Sequence, residues 1–267
     1  MNKSRKSVPV RVVIIGSGNV AEAFVHNMAD DDNIDLVGIV ARNVERGRRL
    51  AALGNTLWRE HTEELPEADI YIIAVSDSAV ESVAHGNTFP ERAIVVHTAG
   101  SVPLEALPER GGRRGILYAF QSFSSGRKVM LSDVTIFIEA ENDEVLERLM
   151  SFAQLLSTKV EYADSERRRV IHLAGVFVNN FVNHLYAVGS DVVGGVGLSF
   201  DVLKPLIAET TAKAMATNNP ASVQTGPAVR GDVAVSERHI EMLADDERKQ
   251  QIYKLITESI WETSKRM

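Results

Sequence analysis

The stretch Val10–Ile15, apolar except at Arg11, runs straight into Gly16-Ser17-Gly18-Asn19-Val20-Ala21. Beyond it Val20, Ala23, Phe24 and Met28 recur at helical spacing. A strand that turns at once into an amphipathic helix, with glycines at the first and third turn positions, constrains the fold more than any other feature of the chain. Gly16 permits the tight turn, Gly18 lets a phosphate approach the backbone, and small Ala21 lets helix and strand pack closely. The helix start offers free N–H groups and a positive dipole end to an anion. The segment Gly16, Ser17, Gly18, Asn19, Val20, Ala21 is therefore expected to hold the diphosphate of a dinucleotide.

The rest of the chain's first part fits that reading. Leu36–Val40, Ile70–Val75, Ala93–Val96, Ile116–Phe120 and Val134–Ile138 read as further strands, with Lys159–Tyr162 as an edge strand. Asn19–Ala29, Val44–Leu53 and Asp143–Leu156 read as helices between them. Strands alternating with helices predict a parallel α/β sheet. From Asp164 onward the pattern is helical only: one long helix over Ser165–Val193, then Ser199–Ala216, Val233–Leu243 and Asp245–Ser264. The stretch Asn218–Asp232, with two prolines and two glycines, reads as a structured loop. The expected fold is α/β, a Rossmann-type parallel sheet domain over residues 9–162, followed by an all-α C-terminal domain over 163–267.

Composition narrows the function classes. A net charge of −7 gives no basic face for nucleic acid, and the absence of cysteine removes thiolate metal sites, disulfides and cysteine nucleophiles. No stretch approaches the roughly 18 uninterrupted apolar residues of a membrane span. The start, MNKSRKSVPV, is basic but lacks the apolar core of a signal peptide. The expectation is a cytoplasmic protein with no membrane or nucleic-acid partner and no metal; no pair of His or carboxylate residues shows ligand spacing.

The second strand chooses between the two common dinucleotides. An NAD site places Asp or Glu near its end, for the ribose hydroxyls. Here the strand ends Val40-Ala41-Arg42-Asn43, and the nearest acid, Asp35, stands at its beginning. Arg42 suits a 2′-phosphate and can stack on adenine, Asn43 can donate to the same phosphate, and Arg46 can assist from the next helix. NADP is the expected cofactor. Val75 and Ser76 close the strand Ile70–Val75 at the edge where such sheets bind ligands; Ser76 could line the nicotinamide side, while Asp77 or Ser78 could simply cap a helix. Thr98 and Ala99, beyond the next strand, are placed with the cofactor too, and His97 beside them is either a substrate-polarising group or a hydrogen-bonded neighbour.

The segment Val170–Val193 is apolar nearly all round, which predicts burial within a bundle or dimer. Its polar exceptions then matter. His172, Asn179, Asn183 and Tyr186 fall at steps of seven, four and three, one narrow stripe of an α-helix, with Gly175 beside it. Asn180, His184 and Asp191 form a second stripe. Buried amides and imidazoles need partners, either a substrate and nicotinamide or polar atoms of neighbouring helices. Arg230, in the loop Thr225-Gly226-Pro227-Ala228-Val229-Arg230-Gly231-Asp232, could hold a carboxylate or phosphate or pair with an Asp of the bundle, with Asp232 capping the following helix.

The fingerprint GSGNVA, the strand ADIYIIAVSDSAV and the segment VHTAGS resemble the pyrroline-5-carboxylate reductase and deazaflavin-dependent NADP oxidoreductase group. With HLAGVFVNNFVNHLY, LKPLIAETTAKAM and TGPAVRGD in the helical part, the chain is similar to a set of bacterial candidate NADP oxidoreductases that pair a Rossmann-like domain with an uncharacterised helical domain. That resemblance implies a homodimer through the helical domains and supplies no reaction. β-Hydroxyacid dehydrogenases carry a catalytic lysine on the long helix and an asparagine four residues on. This chain has no lysine between Lys159 and Lys204, and Val176 stands four residues after His172. It also lacks the Ser- and Thr-rich helix pair of the pyrroline-5-carboxylate reductases.

These readings converge on an NADP(H)-dependent oxidoreductase acting on a small carbonyl, imine or hydroxy-acid substrate. His172 is the expected acid–base group, with His97 as the other candidate; Asn179 and Asn183 would orient the substrate and Arg230 would hold an anionic group. The alternative is a non-catalytic NADP(H)-binding regulatory or assembly protein.

Overall fold

The computed structural model describes residues 8–266; most of the basic start, and Met267, lie outside them. Eight strands, β1 (Val10–Ile15), β2 (Ile34–Val40), β3 (Trp58–Arg59), β4 (Ile70–Ile73), β5 (Ile94–His97), β6 (Arg113–Ala119), β7 (Ile136–Ala140) and β8 (Val160–Tyr162), form one sheet. Their order is β3-β2-β1-β4-β5-β6-β7-β8. Neighbours run parallel throughout except β6 and β7, which are antiparallel. The order reverses between β1 and β4, so a crevice opens there beyond the carboxyl ends of the strands, where such sheets take their ligands.

Alternation along β1 shows why both faces are covered. Val12 and Ile14 pack with Phe24 and Met28 of α1 (Asn19–Met28), Leu50 of α2 (Val44–Leu53), and Val145, Leu149 and Phe152 of α4 (Asp143–Leu156). Val13 and Ile15 join Tyr71, Ile73, Val95 and Ile116 on the other face, with Ala84 of α3 (Val80–His85). Each fully buried large side chain contributes about 1.5–3 kcal/mol, and Phe24 and Met28 are at most 1% exposed. Asn43 and Asn142 cap α2 and α4 by accepting from Arg46 N and Val145 N. Such caps stabilise by about 1 kcal/mol each.

The chain divides into two compact units, the first ending at Asn179 and the second beginning at Asn180. The first unit includes the sheet and α5 (Ser165–Gly175), capped by Asp164. The second holds α6 (Val182–Gly194), α7 (Lys204–Met215), α8 (Pro227–Arg230), α9 (Val233–Met242) and α10 (Glu247–Ser264). The expected loop at 218–232 contains a 3₁₀ turn, Pro220–Val223, and the short α8. Among the described residues no helix is long and apolar enough to cross a membrane.

Two expectations change. The long helix is not uniform: α5 passes into a π-helical turn, Val176–Phe181, before α6. A π turn abandons the 3.6-residue period, so the stripe drawn from His172 to Tyr186 does not hold across it. The apolar helix surface is also not buried within this chain. Val170 is 63% exposed, Leu173 56% and Val178 71%, and α6 has no buried residue. Apolarity all round predicts burial only when something is present to cover it.

Candidate functional site

The glycine turn is dictated by what lies beneath it. Gly16 N donates to Val40 O, and Gly16 has φ +131°, a conformation L side chains rarely adopt. A Cβ there would stand 2.1 Å from the Ala74 carbonyl oxygen. Gly18 is different: its φ is −77°, and a Cβ there would meet nothing within 4 Å. It opens α1 without a side-chain cap, which leaves the first N–H groups of the helix for an anion. Ala21 is fully buried and packs the helix onto the sheet.

Above the turn lies a cavity of about 1020 Å³. Its walls bring together Gly16, Ser17, Gly18, Asn19 and Val20 with Arg42, Asn43, Val75 and Ser76. Thr98 and Ala99 do not line it; both are buried, Thr98 N donating to Ile73 O and Ala99 N to His97 Nδ1. The lining contains Arg42 and no carboxylate. Asn43 uses its amide oxygen to cap α2, and Arg46 donates to Asn19 Oδ1 rather than facing the cavity alone. Asn19 Nδ2 reaches the Phe123 carbonyl, which places Phe123, from the loop after β6, in the wall. His61, just beyond the two-residue β3, also lines the cavity; nothing in its sequence neighbourhood marks it.

A second group of polar residues sits along the same carboxyl edge. Asp77, next to Ser76, accepts from Ser101 in a short hydrogen bond that ties the loop after β4 to the loop after β5. His97, at the end of β5, is fully buried and engaged on both sides. Its Nδ1 accepts from Ala99 N, so the proton is on Nε2 and is donated to Pro103 O at 3.3 Å. Burial pushes its pKa down to about 4, which makes it a neutral structural group near neutrality and removes it as an acid–base candidate.

His172 of α5 is placed otherwise. It is partly exposed, and its Nδ1 lies 3.2 Å from the Tyr118 hydroxyl at the end of β6. Both side chains press on Gly100: a Cβ there would fall 2.6 Å from His172 Nδ1 and 2.9 Å from Tyr118 Oη. Burial, with help from the negative charge of Asp77, pushes Tyr118 up to about 12, so its phenol stays protonated. Tyr118 also packs edge-on against Phe120 and stacks on Phe137. It escaped sequence reading because a tyrosine in an alternating strand looks like ordinary packing.

The α5 helix is anchored by a buried ion pair. Arg168, fully buried, donates to Glu139 Oε2 at 2.5 Å, to the Val102 carbonyl at 2.5 Å and to Ser165 Oγ at 3.1 Å. Ser165 in turn donates to Glu139 and accepts from Leu104 N. Helix α5, strand β7 and the 101–104 loop are thus held to one another, and His172 follows Arg168 by one helical turn. Of the other expected residues, Asn179 is exposed within the π turn. Asn183 and Arg230 belong to the second unit; both are exposed, Arg230 at the end of α8, where Gly231 takes φ +65° and Asp232 caps α9.

Residues 11–100 match the family described as NADP oxidoreductase, coenzyme F420-dependent, and residues 134–260 match a domain of unknown function, DUF2520. A solved structure of a candidate NADP oxidoreductase from Bacteroides fragilis is 36% identical, over 95% of this chain and 98% of that one, with a TM-score of 0.86. An Aspergillus terreus reductive aminase, solved with NADPH and ethyl levulinate, shares the fold at 13% identity over 97% and 95% of the two chains, TM-score 0.67. A Coxiella burnetii pyrroline-5-carboxylate reductase does so at 14% identity over 96% and 98%, TM-score 0.54. No curated protein matches the sequence. The chain belongs to the family of the Bacteroides fragilis protein, candidate NADP oxidoreductases, and carries the NADP oxidoreductase match ahead of the domain of unknown function.

Proposed function

We propose that this protein is an NADP(H)-dependent oxidoreductase that reduces a small carbonyl or imine, or oxidises the matching hydroxy acid or amine, with His172 exchanging the proton. The cradle fits the cofactor: an uncapped helix start over open Gly18 for the diphosphate, and Arg42 without a competing carboxylate for the 2′-phosphate. When bound, NADPH would supply the hydride for the reduction and NADP+ would accept it in the oxidation. The observation that carries the chemical reading is His172 set against Gly100, joined through Ser101 and Asp77 to Ser76 on the cavity wall. An imidazole can both give and take a proton, which suits general acid–base work. Asn179, exposed seven residues beyond His172, is the proposed orienting amide of the first unit.

The test is an NADPH-oxidation screen over keto acids, aldehydes and cyclic imines. His172→Ala is expected to lower kcat by about 10²–10⁴-fold and to leave NADPH binding intact. Unchanged turnover removes His172 from the mechanism. Tight NADPH binding with no turnover on any substrate class favours a non-catalytic role.

We also propose assembly as a homodimer through the helical part. The support is the large apolar side chains left exposed there, Val170 and Leu173 of α5, Val178 of the π-helical turn and Val192 of α6, of the kind that marks interaction surfaces when they cluster. Sedimentation equilibrium at micromolar concentration reads this directly, and a monomer there refutes it.

A further inference from the structure

We infer that Tyr118 is the positioning residue for His172, its hydroxyl engaging Nδ1 so that Nε2 is the nitrogen left to meet substrate. The inference rests on the reading of His172 as the proton-exchanging group. Three observations point to it. The hydroxyl and Nδ1 stand 3.2 Å apart, within hydrogen-bond range. The pair closes over Gly100, where any side chain would strike both partners, so the backbone is shaped to admit them together. The Tyr118 ring is itself held by Phe120 and Phe137, at centroid distances of 6.1 and 6.5 Å, and so presents its oxygen from a fixed base.

A hydroxyl suits this position better than the carboxylate that often supports a catalytic imidazole. It donates to bare Nδ1 when the ring is neutral and accepts from Nδ1–H when the ring is charged. One partner therefore serves both protonation states, and the ring keeps its plane through the exchange. Because burial keeps the phenol protonated, Tyr118 orients the ring without giving up its own proton. The charged groups around the pair belong to other bonds: Asp77 holds Ser101 and Arg168 holds Glu139.

The experiment uses the full chain labelled with 15N-histidine, with His172→Asn identifying the resonance. At a pH where the ring is neutral, His172 is expected to show a single Nε2–H tautomer, with well-separated ring-nitrogen shifts. Tyr118→Phe, which keeps the ring packing and removes only the oxygen, is expected to collapse those shifts toward an average. It is also expected to lower kcat by about 10–100-fold with NADPH affinity unchanged, as displacement of a positioned group does. Identical spectra in the two proteins overturn the inference, as does an Nδ1–H tautomer in the unaltered chain. That second outcome needs no variant, so the question is decided even if Tyr118→Phe does not fold. The spectra are independent of turnover: a silent His172→Ala would refute the acid–base role and still leave the tautomer to judge Tyr118.

Discussion

Arg46 donates to Asn19 Oδ1 at 3.2 Å, so the helix after the second strand holds the first residue of the helix after the glycine turn. The two arginines at this corner therefore have different duties. Arg42 lines the cavity from an exposed position, whereas Arg46 braces the cradle.

That difference predicts two distinguishable phenotypes. Arg42→Ala should weaken NADPH by about 10–100-fold, the worth of a charge-assisted hydrogen bond, and weaken NADH far less, by the adenine stacking alone. Arg46→Ala should weaken both cofactors, because it loosens Asn19. Fluorescence titration with each reduced cofactor measures this; an equal loss for both in Arg42→Ala would refute the 2′-phosphate role.

The same substitution at the two turn glycines should separate folding from binding. Gly16→Ala forces a Cβ onto the Ala74 carbonyl at a backbone angle alanine avoids, and should destabilise the protein by about 1–3 kcal/mol or more. Gly18→Ala meets nothing and should unfold at the same temperature as the unaltered chain. Its methyl group instead occupies the diphosphate's approach, so NADPH and NADH should both bind more weakly. Calorimetry paired with cofactor titration checks each half.

Stability should fall on acidification through a defined window. His97 titrates near 4 in the folded protein and near 6.5 when unfolded. As pH drops below 6.5 the unfolded chain takes up the proton first, and the folded chain follows only near 4. The loss over that interval is about 3 kcal/mol, and above pH 7 the group contributes no pH dependence. Urea unfolding at pH 7.5, 5.5 and 4.5 measures it. His97→Gln should flatten this part of the profile; an unaltered slope in that variant assigns the effect elsewhere.

Much of the fold was legible because its signals are local. Val10–Ile15 and its glycine turn announce a strand, a helix and an anion site within a dozen residues. The helix over Val44–Leu53 is read at its true bounds, whereas Asn43 just before it, read as a phosphate donor, has its amide oxygen engaged as the helix cap. What could not be read depends on distance in sequence. Trp58 and Arg59 form a strand of two residues, too short to show any alternation, and exist as one by pairing with Ile39 and Val40. Arg168, in the run Ser165-Glu166-Arg167-Arg168-Arg169, looks like its exposed neighbours, yet it is fully buried because Glu139, 29 residues earlier, meets it. Tyr118 and His172 are 54 residues apart, and only the strand order brings them to one edge. The polar stripe on the long helix failed for the opposite reason: its local rule assumed an unbroken α-helix, and the turn at 176–181 breaks it.

The helix that follows the glycine turn also suspends a loop. Besides Asn19, its Asn27 donates to the Val129 carbonyl at 2.9 Å and accepts from Leu131 N at 2.8 Å, so two asparagines of α1 pin both ends of residues 123–131. Between those pins stand Arg127 and Lys128, both exposed. A ligand that binds the folded cradle and not the opened one lowers the population in which the pins let go. Trypsin nicking at Arg127 and Lys128 should therefore slow as NADPH saturates the protein, making this loop a proteolytic gauge of cofactor occupancy.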